Sequence, residues 1–222
     1  MRQDNIIIRV ARKTYRLITN AYLKRKLKNK NFTILAPTCI GGVIYHHLGL
    51  KFLSPTVNLW MTEDDLYKFV MDLEYYISQE VEFFAQDIKL DYPIGIIRGK
   101  DESEDVLIQF NHHKSFVDAK AIWDVRKQRI NWSNLYVIAS TRGGETNSKI
   151  TRWENVKDKV NGLVLFTAHD YPNIPYALQL TKFKDREYCP SYMMEGVSKL
   201  LSKHAWEKDF NFVRWLNNGT VK

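Results

Sequence analysis

The chain has 222 residues, 45% of them hydrophobic, and only two cysteines, Cys39 and Cys189. It is long enough to bury a core without staples and too poor in cysteine for a disulfide framework, which predicts a reducing compartment, the cytoplasm. The net charge of +8 does not predict a basic groove across the body, because residues 1–30 carry ten Lys or Arg against one acid, Asp4, while the remainder holds 23 bases and 24 acids; no nucleic-acid partner is expected, and no run approaches the roughly 18 apolar residues of a membrane span.

The charge divides the chain into a basic N-terminal arm, residues 1–30, and a single α/β domain, residues 31–222. From Ile7 to Tyr22 the arm is helical in pattern. Ile7, Ala11, Tyr15, Ile18 and Tyr22 repeat on one face, and Arg9, Arg12, Lys13 and Arg16 on another. LKRKLKNK, Leu23 to Lys30, follows as a dense basic cluster. Two readings stand side by side. The helix packs on the domain with its charges in water, or it lies on the inner face of the cell membrane, where each Lys or Arg near anionic lipid gains roughly 1 kcal/mol.

In the body, Phe32–Ala36 predicts a buried strand, then a small-residue bend, PTCIGG, and a helix from about Gly42 to Leu48. Thr56–Met61 predicts a second strand. Thr62 caps a helix to about Val81, with Glu63, Asp64 and Asp65 in its first turn, where acids favour the helix dipole. Tyr92–Arg98 and Asp105–Phe110 read as a hairpin around GKDESE. Then come a helix over Ser115–Arg129, a strand over Leu135–Ser140, a helix over Asn147–Lys157 and strands over Leu163–Thr167 and Tyr176–Leu180. A helix from Pro190 to about Lys203 and a short terminal helix over Phe210–Leu216 complete the order. Alternating strands and helices predict a mostly parallel sheet flanked by helices, with one antiparallel hairpin.

In a parallel sheet, ligands sit beyond the carboxyl ends of the strands. The chemically distinctive residues fall at strand ends: Cys39, Gly41 and Gly42; Asn111, His112, His113 and Ser115; Arg142, Gly143 and Gly144; His169 and Asp170. PTCIGG would offer backbone amides at a helix N-terminus, suited to phosphate, or its glycines would serve only tight packing. It is neither a Walker loop nor a dinucleotide fingerprint. Cys39 is a nucleophile candidate or a small buried filler. His46 and His47, about 100° apart on a helix, are poorly placed to share an ion. His112 at a strand end suits a general base. His113 and Asp118 have the His-x4-Asp spacing of glycerolipid acyltransferases, although the second block of that family is missing. Arg142 suits a bidentate phosphate contact, and His169 with Asp170 offers a further base. No spacing points to a metal, and no cofactor is required; a nucleotide-sugar donor is compatible with the candidates.

FTILAPTCIGGVIYHHLGLKFLSPTVNLWM, TEDDLYKFVMDLEYYI, YPIG, FNHHKSFVDAKAIWDVRKQRINWSNLYVI and VLFTAHDYPN together resemble a bacterial family of exopolysaccharide or capsule biosynthesis proteins built on a domain of unknown function. The likeness spans most of the chain, and Trp123 to Leu135 is its most specific phrase. It implies an α/β protein that works among glycosyltransferases, transferring a sugar or sugar-phosphate unit to a glycan or lipid-linked acceptor. An acyltransferase that modifies the polymer, or a non-catalytic assembly or glycan-binding factor, are the alternatives. The family supplies no catalytic residues. It more often has Asn-Asn-Cys where Pro37-Thr38-Cys39 stands, and Tyr at position 113 with no fixed Asp at 118. That makes the acyltransferase spacing accidental and His112 the better base.

Overall fold

A computed structural model describes residues 6–87, 89, 91–190, 196–198 and 203–221. The fold is α/β. Four strands, β1 (Thr33–Leu35), β5 (Leu135–Ser140), β6 (Gly162–Thr167) and β7 (Ala177–Gln179), form an all-parallel sheet in the order β1-β5-β6-β7. A separate antiparallel sheet contains β2 (Val81–Asp87), β3 (Tyr92–Ile97) and β4 (Val106–Gln109) in chain order.

β1, β5 and β6 are buried at every position. Unbroken apolar runs of this kind suit a parallel sheet covered on both faces. Side-chain alternation sends Leu35, Val137, Ala139, Leu163 and Leu165 into one core, and Ile34, Ala36, Tyr136, Ile138, Val164 and Phe166 into the other. The first core is closed by α3 (Glu63–Met71), α4 (Leu73–Ser78), α5 (Phe116–Lys127), α6 (Asn147–Thr151), α7 (Glu154–Lys157) and the antiparallel sheet. The second is closed by α2 (Ile40–Leu48), α8 (Trp206–Asp209) and α9 (Phe212–Asn218).

α1 (Ile6–Lys26) lies against this second side. Arg16 forms a two-pronged ion pair with Glu207 at 2.6 and 2.9 Å, and Leu23 and Leu27 join the core. Beyond the helix, the Asn217 side chain accepts from the Lys28 and Asn29 amides and donates to the Lys26 carbonyl. The helix packs on the domain, one of the two expectations for it, but with arginines inward where that reading placed its charges in water. Arg12, Tyr15, Arg16 and Thr19 are half-buried, while Ala11, Ile18 and Tyr22 face outward. No described helix is long and apolar enough to cross a membrane.

Four expected elements differ, the first being the helix over Asn147–Lys157, which divides into α6 and α7 at Arg152–Trp153. Thr56–Met61 is not a strand. Residues 55–58 turn, Asn58 takes φ +60°, and the Thr56 hydroxyl accepts from the Ala36 amide at 3.1 Å, so side-chain bonds fix this stretch in place of a ladder. The helix after Thr62 breaks at Asp72 (φ −132°, ψ 53°), and Val81 already begins β2. The break lets Tyr76 enter the core while its hydroxyl donates to the Glu104 carbonyl at 2.7 Å. The helix expected over Pro190–Lys203 falls partly outside the described residues; within them, Gly196–Ser198 (β8) pairs with Lys203–His204 (β9).

Candidate functional site

The sheet is parallel, so the turns after β1, β5 and β6 share one edge. The cluster at Asn111–Ser115 follows β4, a strand of the expected antiparallel hairpin and not of the parallel sheet. It reaches the same edge through Trp60 and Met61. Trp60 exchanges both backbone hydrogen bonds with Gln109 of β4, and the Met61 amide donates to the Pro37 carbonyl just past β1. This stitch brings the end of β4 over the carboxyl edge of β1.

The outcome is a contact between residues far apart in the chain: Cys39 Sγ lies 3.1 Å from His112 Nε2. Burial pushes the Cys39 thiol pKa up, against a smaller opposing effect of the backbone. The direction of this hydrogen bond follows the His112 tautomer. Cys39 is also the residue preceding α2, with no side-chain capping bond. Of the two glycines in the bend, Gly42 serves close packing. A Cβ on Gly42 would stand 2.6 Å from Asn58 Oδ1, and one on Gly41 would touch Ile34. His47 is buried away from this edge beside Glu207 and Arg16, and His46 is exposed.

Past β5, Gly143 and Gly144 take φ +89° and +127°, values that only glycine adopts without strain. They turn the chain so that the Arg142 guanidinium stacks on the Trp60 ring, 4.2 Å from its centroid. Arg142 Nη1 is buried with no hydrogen-bond partner among the described residues, and so is Asn111 Oδ1. Buried polar atoms are nearly always paired; among the same residues Trp123, Trp206 and Trp215 also leave a ring N–H without a partner, and what distinguishes Arg142 and Asn111 is their place at the edge.

Two carboxylates that sequence reasoning did not single out hold this turn. Glu63 is buried and accepts from the Ser140 amide at 3.0 Å and from the Ser140 hydroxyl. Burial raises its pKa to about 7, against the lowering effect of the Ser140 bonds and of Arg152 and Arg142. Glu145 has a side chain 1% exposed and accepts from the Thr141 hydroxyl (2.6 Å), the Ala168 and His169 amides (2.8 Å each) and His169 Nδ1 (3.0 Å). His169, exposed by 53%, is thereby tied to the turn that carries Arg142. Glu63 is hidden in sequence as a helix first-turn acid. The signal for Glu145 is weaker still: an acid directly after a glycine pair.

The candidates thus form a connected set: Cys39 with His112, the end of β4 with Trp60, Trp60 with Arg142, and the Arg142 turn with His169 through Glu145. Asp170 is exposed beside His169. His113 packs edge-on to Phe110 at 6.3 Å, and burial lowers its pKa. Asp118 sits in the first turn of α5, its amide capped by the Ser115 hydroxyl at 3.4 Å. No hydrogen bond joins His113 to Asp118 among the described residues. There, too, no three His, Cys, Asp or Glu side chains gather as for a metal ion. Two cavities lie elsewhere: one of about 530 Å³ at the amino end of β6, the other of about 680 Å³ between α1 and the α8–α9 segment.

The chain is 26% identical over 211 residues to a protein of Haemophilus influenzae (strain ATCC 51907 / DSM 11121 / KW20 / Rd) described as uncharacterized, an alignment covering 93% of this chain and 94% of that one. A family model described as a domain of unknown function, DUF1919, matches residues 10–217. That span takes in both sheets and every residue of the edge just described, so the protein belongs to the DUF1919 family.

Proposed function

We propose that the protein is a group-transfer enzyme of cell-surface polysaccharide assembly, moving a sugar or sugar-phosphate unit from a phosphate-bearing donor to a glycan or lipid-linked acceptor. The observation that carries this reading is the buried, unpartnered Nη1 of Arg142, stacked on Trp60. A guanidinium held over an indole ring still has N–H groups free to meet a phosphate oxygen. In this scheme Arg142 grips the donor phosphate and Asn111 Oδ1 accepts from a donor hydroxyl. His112 takes the proton of the acceptor hydroxyl on its unprotonated ring nitrogen. Glu63 and Glu145 are positioning residues for the Arg142 turn. The polysaccharide setting comes from the sequence resemblance.

The 3.1 Å contact between Cys39 and His112 favours a second reading. Here His112 removes the thiol proton and the sulfur attacks the donor, expelling its phosphate, before the acceptor displaces the sulfur. Titration calorimetry with a panel of nucleotide sugars, with turnover measured on the binders, tests both. The first reading expects Arg142→Ala to weaken donor binding about tenfold or more, His112→Ala to abolish turnover with binding intact, and Cys39→Ala to remain active. Loss of turnover in Cys39→Ala selects the second. No binding across the panel, or binding indifferent to Arg142→Ala, overturns the assignment.

A further inference from the structure

We propose that α1 is an in-plane anchor for an anionic lipid surface. Its outward sector would enter the boundary between headgroups and acyl chains, and its basic carboxyl end would meet lipid phosphates. The inference is independent of the chemistry at the sheet edge. It rests on which side of α1 is covered. The side holding Ile8, Arg12, Tyr15, Arg16, Thr19 and Leu23 lies on the protein, where Arg16 is clamped by Glu207. The opposite side exposes Ile6 by 73%, Val10 by 61%, Leu17 by 63%, Ile18 by 67% and Tyr22 by 59%. At about 100° per residue these five, with Ala11, Thr14 and Ala21, share one sector roughly 160° wide.

An ordinary surface helix turns such a sector inward, because each large apolar side chain removed from water contributes roughly 1.5–3 kcal/mol. Here a mixed side, with Ile8, Tyr15 and Leu23 beside the arginines, provides the attachment and the larger apolar sector is left out, so that sector is made to be covered. Charge says by what. α1 contains no Asp or Glu. Lys13 borders the sector, and Lys24, Arg25 and Lys26 close its carboxyl end, all four exposed. The cleft alongside is lined by Lys28, Lys208 and Arg214 together with Glu207, which pairs with Arg16, and Asp209, which accepts from Thr181. A second copy of this chain would press two such basic arms together, an arrangement that like-charge repulsion opposes. An anionic bilayer supplies both an apolar layer and phosphates at its edge, and lysines flanking an in-plane helix reach those phosphates along their own apolar stems.

Flotation of the full chain with vesicles of phosphatidylcholine alone, or with about one-third phosphatidylglycerol, tests this. Expected is flotation with the anionic vesicles, weakened by added salt. The Leu17→Asp/Ile18→Asp variant loses at least about tenfold of that binding, with an unchanged thermal transition because both side chains are exposed. Lys24→Glu/Arg25→Glu/Lys26→Glu loses the preference for anionic over neutral vesicles. Absence of wild-type flotation, or flotation unaffected by the aspartates, overturns the proposal. So does a wild-type dimer that the aspartates convert to a monomer, since the sector would then belong to a second copy.

Discussion

Cys39, Gly41 and Gly42 show how residue type and residue role come apart. The PTCIGG bend suggests an anion cradle, yet Gly42 is needed because Asn58, at φ +60°, fills the space a side chain would take. Gly42→Ala is therefore expected to cost about 1–3 kcal/mol through overpacking against Asn58 and Val57. Gly41→Ala, with its nearest atom at 3.4 Å, is expected to be neutral or slightly stabilising, since alanine favours helix by about 1 kcal/mol. Urea denaturation of the two variants separates these effects; equal losses would contradict this account of the bend. At Arg142 the converse holds. Arginine beside two glycines was recognisable as a candidate anion contact, but only the structure supplies Trp60 beneath it and the carboxylates behind it.

At the scale of elements, strongly periodic segments behaved as their patterns dictate. Leu135–Ser140 is a strand with the expected bounds, the two hairpin strands pair antiparallel, and the helix after Ser115 begins at its cap. Thr56–Met61 has the composition of a strand but is held by the Ser54 and Thr56 hydroxyls, competition that short alternating segments cannot reveal. In α1 the helix forms as its pattern predicts, but Tyr15 falls on the half-buried side with Arg12 and Arg16 and not with Ala11, Ile18 and Tyr22. Helical periodicity says which residues share a face and nothing about which face finds a partner. Its attachment depends on Arg16 and Glu207, whose side chains are 17% and 9% exposed. Arg16→Ala leaves the Glu207 carboxylate mostly buried without its cation. An attachment loss of about 2 kcal/mol is expected, read as faster amide exchange confined to Ile6–Lys26. Exchange that accelerates equally throughout the chain would show instead that α1 does not come away on its own.

For the whole molecule, two buried groups on opposite sides of the parallel sheet give opposite pH dependence. Burial lowers the His47 pKa from 6.5 to about 4, with Glu207 opposing and Arg16 adding. Between these values the unfolded chain binds more protons, so this contribution to stability is lost as pH falls. Glu63 is raised from 4.5 to about 7; between those values the folded chain binds more protons, and its contribution is lost as pH rises. From pH 4.5 to 6.5 the two oppose each other. Relative to wild type, Glu63→Gln is expected to gain stability as pH rises through this range and His47→Gln to lose it, measured by denaturant titration at successive pH values. Parallel profiles for wild type and both variants would refute the assignment of these protons.

The sequence by itself determined the class of fold, because unbroken apolar strands separated by amphipathic helices have no stable arrangement other than a covered parallel sheet. It also determined the concentration of charge in the arm and the placing of Cys39, Arg142 and His169 at strand ends. Tertiary structure alone decided that β2 exists as a partner for β3, that Trp60 and Met61 stitch one sheet to the other, and that His112 meets Cys39 across 73 positions of chain. The physical reason is common to all three. Periodicity and capping are local properties of a few neighbouring residues, whereas a bond between distant segments exists only once the intervening chain has folded and brought its ends together.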